Sequence, residues 1–243
     1  MTPSLSWDGE SRMTYLSKVL LNPLRSGAQK LLANPQAMHA AVLGGVPPGV
    51  EGRVLWREDS ARRSGGLIEA VVLVQTPVEP DWSHLIEQAG WQTEEGQALV
   101  RPLDPLLDAL ALGRRFQFRL RANPVRAVGH GEGRRGTRRG VGRAELQLDW
   151  FLTRTSVDNA QWGFTVNMEP HPHVQVVARD QQTFTKGADK RRVTISRATF
   201  AGELQVTDAT VLRETLLSGI GSAKAYGCGL LTLAPGSGYV VAG

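Results

Sequence analysis

The stretch RFQFRLRANP, residues 115–124, decides how the chain is read. Phe116, Phe118 and Leu120 alternate with Arg115, Gln117, Arg119 and Arg121, so an extended backbone puts three apolar side chains on one face and cations with one amide on the other. Such a strand covers a core with one face and offers the other to water or to a polar partner. Taken as the end of a series, it completes an order of elements.

Before it, TYLSKVLL (14–21) reads as a strand followed by a turn containing Pro and Gly. ANPQAMHAAVL (33–43) then starts a helix, with Asn34 suited to the N-cap and Pro35 to the first helical position, where its missing N–H costs nothing. GGVPPG ends that helix. RVLWRE (53–58) and LIEAVVLVQT (67–76) follow as strands, and DWSHLIEQAG (81–90) as a short helix. With RFQFRLRANP as the closing strand, the order is β-α-β-β-α-β.

Beyond it, the Arg/Gly-rich segment 129–143 reads as a mobile loop. ELQLDWFLTRT (145–155) is a helix, and QWGFTVNM, HVQVVARDQQTF, RRVTISRATF and ELQVTD fit strands. DATVLRETLLSG (208–219) is a helix capped by Asp208, and CGLLTLAP (228–235) closes as a strand. The second half loosely repeats the first. The predicted class is α+β, with two tandem ferredoxin-like (RRM-like) folds and antiparallel sheets, resting on element order alone. The expected division is a loose leader at 1–12 with Met13 a plausible alternative start, a first unit at 13–123, a linker or loop at 124–143 and a second unit at 144–243.

Composition narrows the function classes. Of 243 residues, 41% are hydrophobic and 21% charged, which suits a folded protein, and no run of about 18 apolar residues exists to span a bilayer. The first residues carry no basic segment followed by an apolar stretch, so they do not read as a secretory signal. The lone Cys228 cannot form an internal disulfide, and the expected location is a reducing cytoplasm. A net charge of +5 calls for an anionic partner. Arginines dominate from Arg114 to Arg143, with Glu132 the only acid among them, and Lys186, Lys190, Arg191 and Arg192 form a second cluster.

SGIGSAKAYGCGLLTLAP, from Ser218, sets Gly219, Gly221, Gly227 and Gly229 around Lys224. A phosphate-binding loop of the GxxxxGK[ST] or GxGxxG type needs a strand before the glycines and a helix after them, and here the helix comes first. Nucleotide binding is therefore disfavoured. The glycines either shape a tight turn or let the backbone approach a phosphate. Five histidines and one cysteine offer no CxxC or HExxH, and His171 with His173 has no third ligand nearby, so no metal and no cofactor is expected. That leaves side-chain acid/base chemistry. On the helix begun at Pro35, Met38 and Val42 point to a core while Gln36, His39 and Leu43 form a neighbouring stripe, which leaves the His39 imidazole at the core's edge. By placement alone His39 is structural or catalytic, and His84 beside Trp82 has an equally unspecific setting.

YLSKVLLNP, NPQAMHAAVLGG, FRLRANP and GIGSAKAYGCGLLTLAP, in that order from about Thr14 to Pro235, together resemble the CRISPR-associated endoribonuclease CasE family, the repeat-processing subunits of the type I-E Cascade complex. The resemblance implies two ferredoxin-like folds binding the hairpin of a CRISPR repeat transcript. It implies metal-independent cleavage at the 3' base of the stem, a 2',3'-cyclic phosphate product, and retention of the mature crRNA with the other Cascade subunits, the free protein being a monomer. The family's catalytic histidine falls on His39. Gln36 stands where characterised relatives carry a tyrosine, and the family's following lysine and serine positions align with GGVPPG. An amide can hydrogen-bond a phosphate but cannot donate a phenolic proton, so Gln36 is at most auxiliary. A non-catalytic hairpin-binding subunit of the same fold is the rival reading. The resemblance makes Lys186, Lys190, Arg191 and Arg192 a basic hairpin along the RNA stem, adds Arg119, Arg121 and Asn123 as RNA-facing, and gives Gly219, Gly221, Lys224 and Gly227 to a loop beside the scissile phosphate.

Overall fold

A computed structural model describes residues 13–62, 68–92, 95–128, 137–186 and 191–236. The leader expected at 1–12 and Lys190 lie outside the described residues. Strand β1 (Tyr15–Leu21) leads into two consecutive helices, α1 (Ser26–Ala33) and α2 (Pro35–Leu43). Asn34 caps α2 as predicted, its side chain accepting from the N–H of Gln36 at 2.9 Å and of Ala37 at 3.3 Å. Strands β2 (Leu55–Arg62) and β3 (Ile68–Thr76), helix α3 (Ser83–Ala89) and strand β4 (Ala98–Pro102) complete the first unit. Its sheet runs β2-β3-β1-β4, all antiparallel, which is the ferredoxin-like order.

A short helix α4 (Asp104–Asp108) leads to β5 (Arg115–Ala122). Next come a small ribbon of β6 (Val125–Val128) and β7 (Thr137–Gly140), helix α5 (Ala144–Thr155), strands β8 (Phe164–Thr165), β9 (Val174–Lys186) and β10 (Arg191–Val206), helix α6 (Ala209–Ser218) and strand β11 (Leu231–Pro235). The second sheet runs β11-β5-β10-β8, with β9 also paired to β10, and is again antiparallel and ferredoxin-like. Asp208 caps α6 through the N–H of Val211 at 2.9 Å, as the sequence indicated. The fold is α+β with two tandem ferredoxin-like units.

The strand that decided the reading belongs to the other unit. Arg115–Ala122 does not close the first sheet; it lies at the centre of the second, between β10 and β11. The first sheet is closed by Ala98–Pro102, an edge strand mostly open to solvent, whose sequence therefore carries no apolar alternation. The first sheet ends at Pro102 and the second begins at Arg115, upstream of the 124–143 interval expected to divide the chain. Part of that interval, read as loop, forms the β6–β7 ribbon, held to α5 by an Arg126–Asp149 ion pair at 3.0 Å. The segments RRVTISRATF and ELQVTD are one strand, β10, with an irregular register between Thr199 and Phe200.

Each unit has its own core. Val19, Leu21, Met38, Val42, Trp56, Val72 and Val74 pack in the first; Phe118, Leu120, Phe151, Phe164, Phe200 and Leu216 pack in the second. Phe151 stacks on Phe200 with centroids 4.8 Å apart and on Phe118 at 5.5 Å. Among the described residues, no helix is long and apolar enough to cross a membrane.

A buried guanidinium is prominent among the links between the units. Arg57 on β2, 2% exposed, donates to the carbonyls of Arg119 at 2.8 Å and Leu230 at 3.2 Å, to Thr232 Oγ1 at 3.0 Å, and to both carboxylate oxygens of its neighbour Asp59. Burial works against the Arg57 charge, and the Asp59 carboxylate holds it. On the next strand, Gln75 Nε2 donates to the Leu216 carbonyl at 3.0 Å. Removing a buried charged donor strands its acceptors, so Arg57→Ala is expected to cost about 3–5 kcal/mol in urea unfolding. A loss below about 1 kcal/mol, the scale of an exposed pair, would show that the seam does not depend on it.

Candidate nucleic-acid interface

The glycine-rich segment follows α6 and folds back on itself. Ile220 N–H donates to the Gly229 carbonyl at 2.9 Å, and Gly229 N–H donates to the Arg121 carbonyl at 2.7 Å, hanging the loop from the end of β5. Between them Lys224–Tyr226 forms a single 3-10 turn, entered through Ala223 at φ 64° and left through Gly227 at φ 75°. A Cβ on Gly227 would stand 2.8 Å from the Trp56 ring, and one on Gly219 2.8 Å from Leu55. Both residues are buried on β2 of the first unit. Gly219 and Gly227 are buried and let the loop dock against β2, whereas Gly221 is exposed and Lys224 part-buried.

That docking brings the loop to the helix that carries His39. The turn at Lys224–Tyr226 packs against both α2 and β2. On α2, Met38 and Val42 are buried and His39 is half-buried, as the helical spacing predicted; Gln36 sits one turn earlier, partly exposed. His39 Nδ1 is shielded from solvent and has no hydrogen-bond partner among the described residues. Burial holds the imidazole below its ordinary pKa of 6.5, so it is neutral at pH 7. Burial and the positive charge of Arg53 both lower the Lys224 pKa. Arg53, exposed just before β2, is a cation that sequence reasoning passed over. Two cations whose charges oppose one another at the mouth of a seam favour an anion there.

The polar face of β5 is divided: Arg115, Gln117 and Arg119 are exposed, and Arg121 is part-buried. Arg119 lies 3.7 Å from Asp59, and Arg121 has Nε and NH1 shielded without a partner among the described residues. Glu58 has its pKa raised by burial, against the opposing pull of Arg121 and Arg197. Asn123 Nδ2 donates to Ser222 Oγ at 3.2 Å, tying the strand's end to the glycine loop. Cys228 is fully buried, which pushes its thiol up to about 12, so it is protonated at neutral pH and no nucleophile. His84 Nε2 lies 2.8 Å from the Ala41 carbonyl and joins α3 to α2. His171 and His173 line a separate groove of about 990 Å³ on the second sheet, with Arg115, Gln117 and Glu203. Among the described residues, no group of three or more His, Cys, Asp or Glu could hold a metal ion.

The basic cluster lies at the far end of the β9–β10 ribbon. Lys186 and Arg191 pair across its last described rung, and Arg192 is exposed. The ribbon reaches the first unit through Gln182, whose Nε2 donates to the Ala33 carbonyl at 3.3 Å, and touches the glycine-rich loop of its own unit through Phe184, whose ring lies 4.7 Å from that of Tyr226. Contacts thus join the glycine-rich loop to α2, to the end of β5 and to the β9–β10 ribbon.

Paired ferredoxin-like units with a basic ribbon and a half-buried histidine at their seam define a double-fold nucleic-acid-binding protein. The chain belongs to the family described as CRISPR associated protein, whose model matches residues 14–235. It is 35% identical over 232 residues to the CRISPR-associated endoribonuclease Cse3 of Thermus thermophilus, covering 91% of this chain and all of that one. It is 28% identical over 158 residues, 64% of this chain and 76% of the relative, to the CRISPR system Cascade subunit CasE of Escherichia coli. A structure of Thermus thermophilus Cse3 bound to an RNA representing a pre-cleavage complex superposes with a TM-score of 0.73 at 34% identity, over 92% of this chain and all of that one.

The loop's dependence on glycine is open to test. Gly221→Ala puts a side chain in a left-handed conformation at ordinary contact distance, 3.9 Å, from the Trp150 ring, and is expected to cost about 1–2 kcal/mol in thermal or chemical unfolding. Gly227→Ala adds a collision with Trp56 as well, for about 1–3 kcal/mol more. Equal losses at the two sites would mean that the loop does not press on Trp56.

Proposed function

We infer that the protein is an endoribonuclease that binds the hairpin of a CRISPR repeat transcript and cuts it at the 3' base of the stem, without a metal ion. The observation that carries this reading is the packing of the Lys224 turn against the helix that holds His39, with Phe184 near the basic end of the ribbon touching the same turn. It agrees with relatives named as a CRISPR-associated endoribonuclease and as a Cascade subunit. The protein acts in the cytoplasm, is a monomer when free, and keeps its product as part of a Cascade assembly.

The chemistry follows from the groups at the seam. The ribose 2'-oxygen attacks the adjacent phosphorus in line, its proton leaving to a base, while the bond to the departing 5'-oxygen breaks and that oxygen takes up a proton. The products are a 2',3'-cyclic phosphate and a 5'-hydroxyl. A half-buried imidazole that is neutral at pH 7 is suited to accept the first proton, and His39 takes that role. Lys224, with Arg53 beside it, neutralises the phosphate, and Gln36 supplies at most a hydrogen bond. Lys186, Lys190, Arg191 and Arg192 run along the stem's backbone, where an A-form helix presents shape and phosphates rather than readable base edges. Arg119, Arg121 and Asn123 hold the seam that the RNA end enters.

The rival, a hairpin-binding subunit without catalysis, is favoured by Gln36 in place of an acidic hydroxyl. Incubation with repeat RNA in excess EDTA separates the two: a discrete cut is expected, and tight binding without any cut would establish the rival. His39→Ala is expected to lose about 10²- to 10⁴-fold in cleavage rate with nearly unchanged hairpin affinity. In the pH profile of kcat/KM, protonating the base stops the reaction, so the rate falls as pH drops. Because burial lowers the His39 pKa, that fall is expected below pH 6.5 and is absent from the residual activity of His39→Ala; a limb above 6.5 would contradict the assignment. Charge reversal at Arg191 and Arg192 is expected to weaken binding and to flatten its log-log salt dependence by about 0.7–0.9 for each phosphate no longer neutralised. An unchanged slope would remove the ribbon from the RNA.

A further inference from the structure

We propose that Phe184 and Tyr226 are positioning residues that couple the grip of the basic ribbon on RNA to the placement of His39; the proposal rests on the endoribonuclease reading above. The ribbon belongs to the second unit and His39 to the first, so cleavage geometry depends on what links them. Phe184 lies two residues before Lys186, and its ring sits 4.7 Å from Tyr226 at an interplanar angle of 55°. Tyr226 ends the 3-10 turn that packs on α2, and that turn is held between two left-handed residues, Ala223 and Gly227. Gln182, two positions further back and therefore on the same ribbon face as Phe184, donates to the Ala33 carbonyl immediately before the N-cap of α2. One face of the ribbon thus meets the end of α1, just before the cap of the catalytic helix, and reaches that helix through the turn that carries Tyr226.

Both rings are only part-buried, and neither belongs to the hydrophobic core of its unit. Their contact is therefore not needed to complete either fold. It fixes where the ribbon stands relative to α2, and through the ribbon where a bound stem presents its phosphate to His39. A displacement of about 1 Å at a reacting centre can cost on the order of 100-fold in rate. The ring pair acts on rate through geometry, without touching the phosphate.

The test separates binding from the chemical step. Hairpin affinity and single-turnover cleavage at saturating RNA are measured for the wild type, Phe184→Ala, Tyr226→Ala, the double variant and Phe184→Tyr, each checked by thermal unfolding. Either single alanine variant is expected to cleave about 10- to 100-fold more slowly while its Kd changes by less than about threefold. The double variant is expected to be no slower than the worse single one, as for two halves of one interaction, and Phe184→Tyr to stay within about threefold of wild type. If an alanine variant fails to fold, Phe184→Leu, which keeps apolar bulk without a ring, replaces it with the same expected rate loss. Wild-type rates at saturation, or a loss confined to affinity, would overturn the proposal and leave the enzyme reading intact. A wild-type protein that binds the hairpin without cutting it would overturn both.

Discussion

A single buried guanidinium decides how this molecule is assembled. Arg57 reaches from the edge strand of the first sheet to two carbonyls and a hydroxyl of the second, with Asp59 beside it to hold the charge. A buried charge without its full set of partners is costly, so the geometry that satisfies all of them is strongly preferred over its neighbours. Two ferredoxin-like units could meet in many ways. Here the acceptors on β5 and β11 lie in register with Arg57, and this sets β2 beneath the glycine loop.

From that constraint the site follows. With β2 in place, Leu55 and Trp56 form the floor on which Gly219 and Gly227 rest, and only residues without a Cβ come so close. The loop is then held at three points: on β2, on itself through Ile220 and Gly229, and on the end of β5 through Arg121 and Asn123. Lys224 is carried to the flank of α2, where His39 has lost part of its hydration to burial. Gly219 and Gly227 thus shape the loop, and Gly221 and Lys224 are left on its more open side.

Much of this was legible in the sequence, and the reasons differ by element. The caps at Asn34 and Asp208 rest on local hydrogen bonds, which short-range sequence specifies, and both formed as read. His39 at the edge of a core followed from helical spacing. Strand β4 escaped because an exposed edge strand needs no apolar alternation, and its absence shifted Arg115–Ala122 into the wrong unit without disturbing the element order. Arg57 was illegible for a different reason. In RVLWRE it resembles any strand cation, and its partners lie in parts of the chain 62 to 175 residues away. Phe184 and Tyr226 are likewise ordinary until the ribbon and the loop have met.

The convergence on the seam has a consequence for the life of a newly made chain. The helix with His39 is synthesised early, and the loop with Lys224 after every helix and strand except β11. Since β11 supplies the Leu230-to-Thr232 side of the Arg57 clasp, the seam cannot close while that stretch is still inside the ribosome. Until then Arg57 lacks the Leu230 carbonyl and the Thr232 hydroxyl among its acceptors. The seam, and with it the packing of the Lys224 turn on α2, therefore depends on β11, the last strand among the described residues.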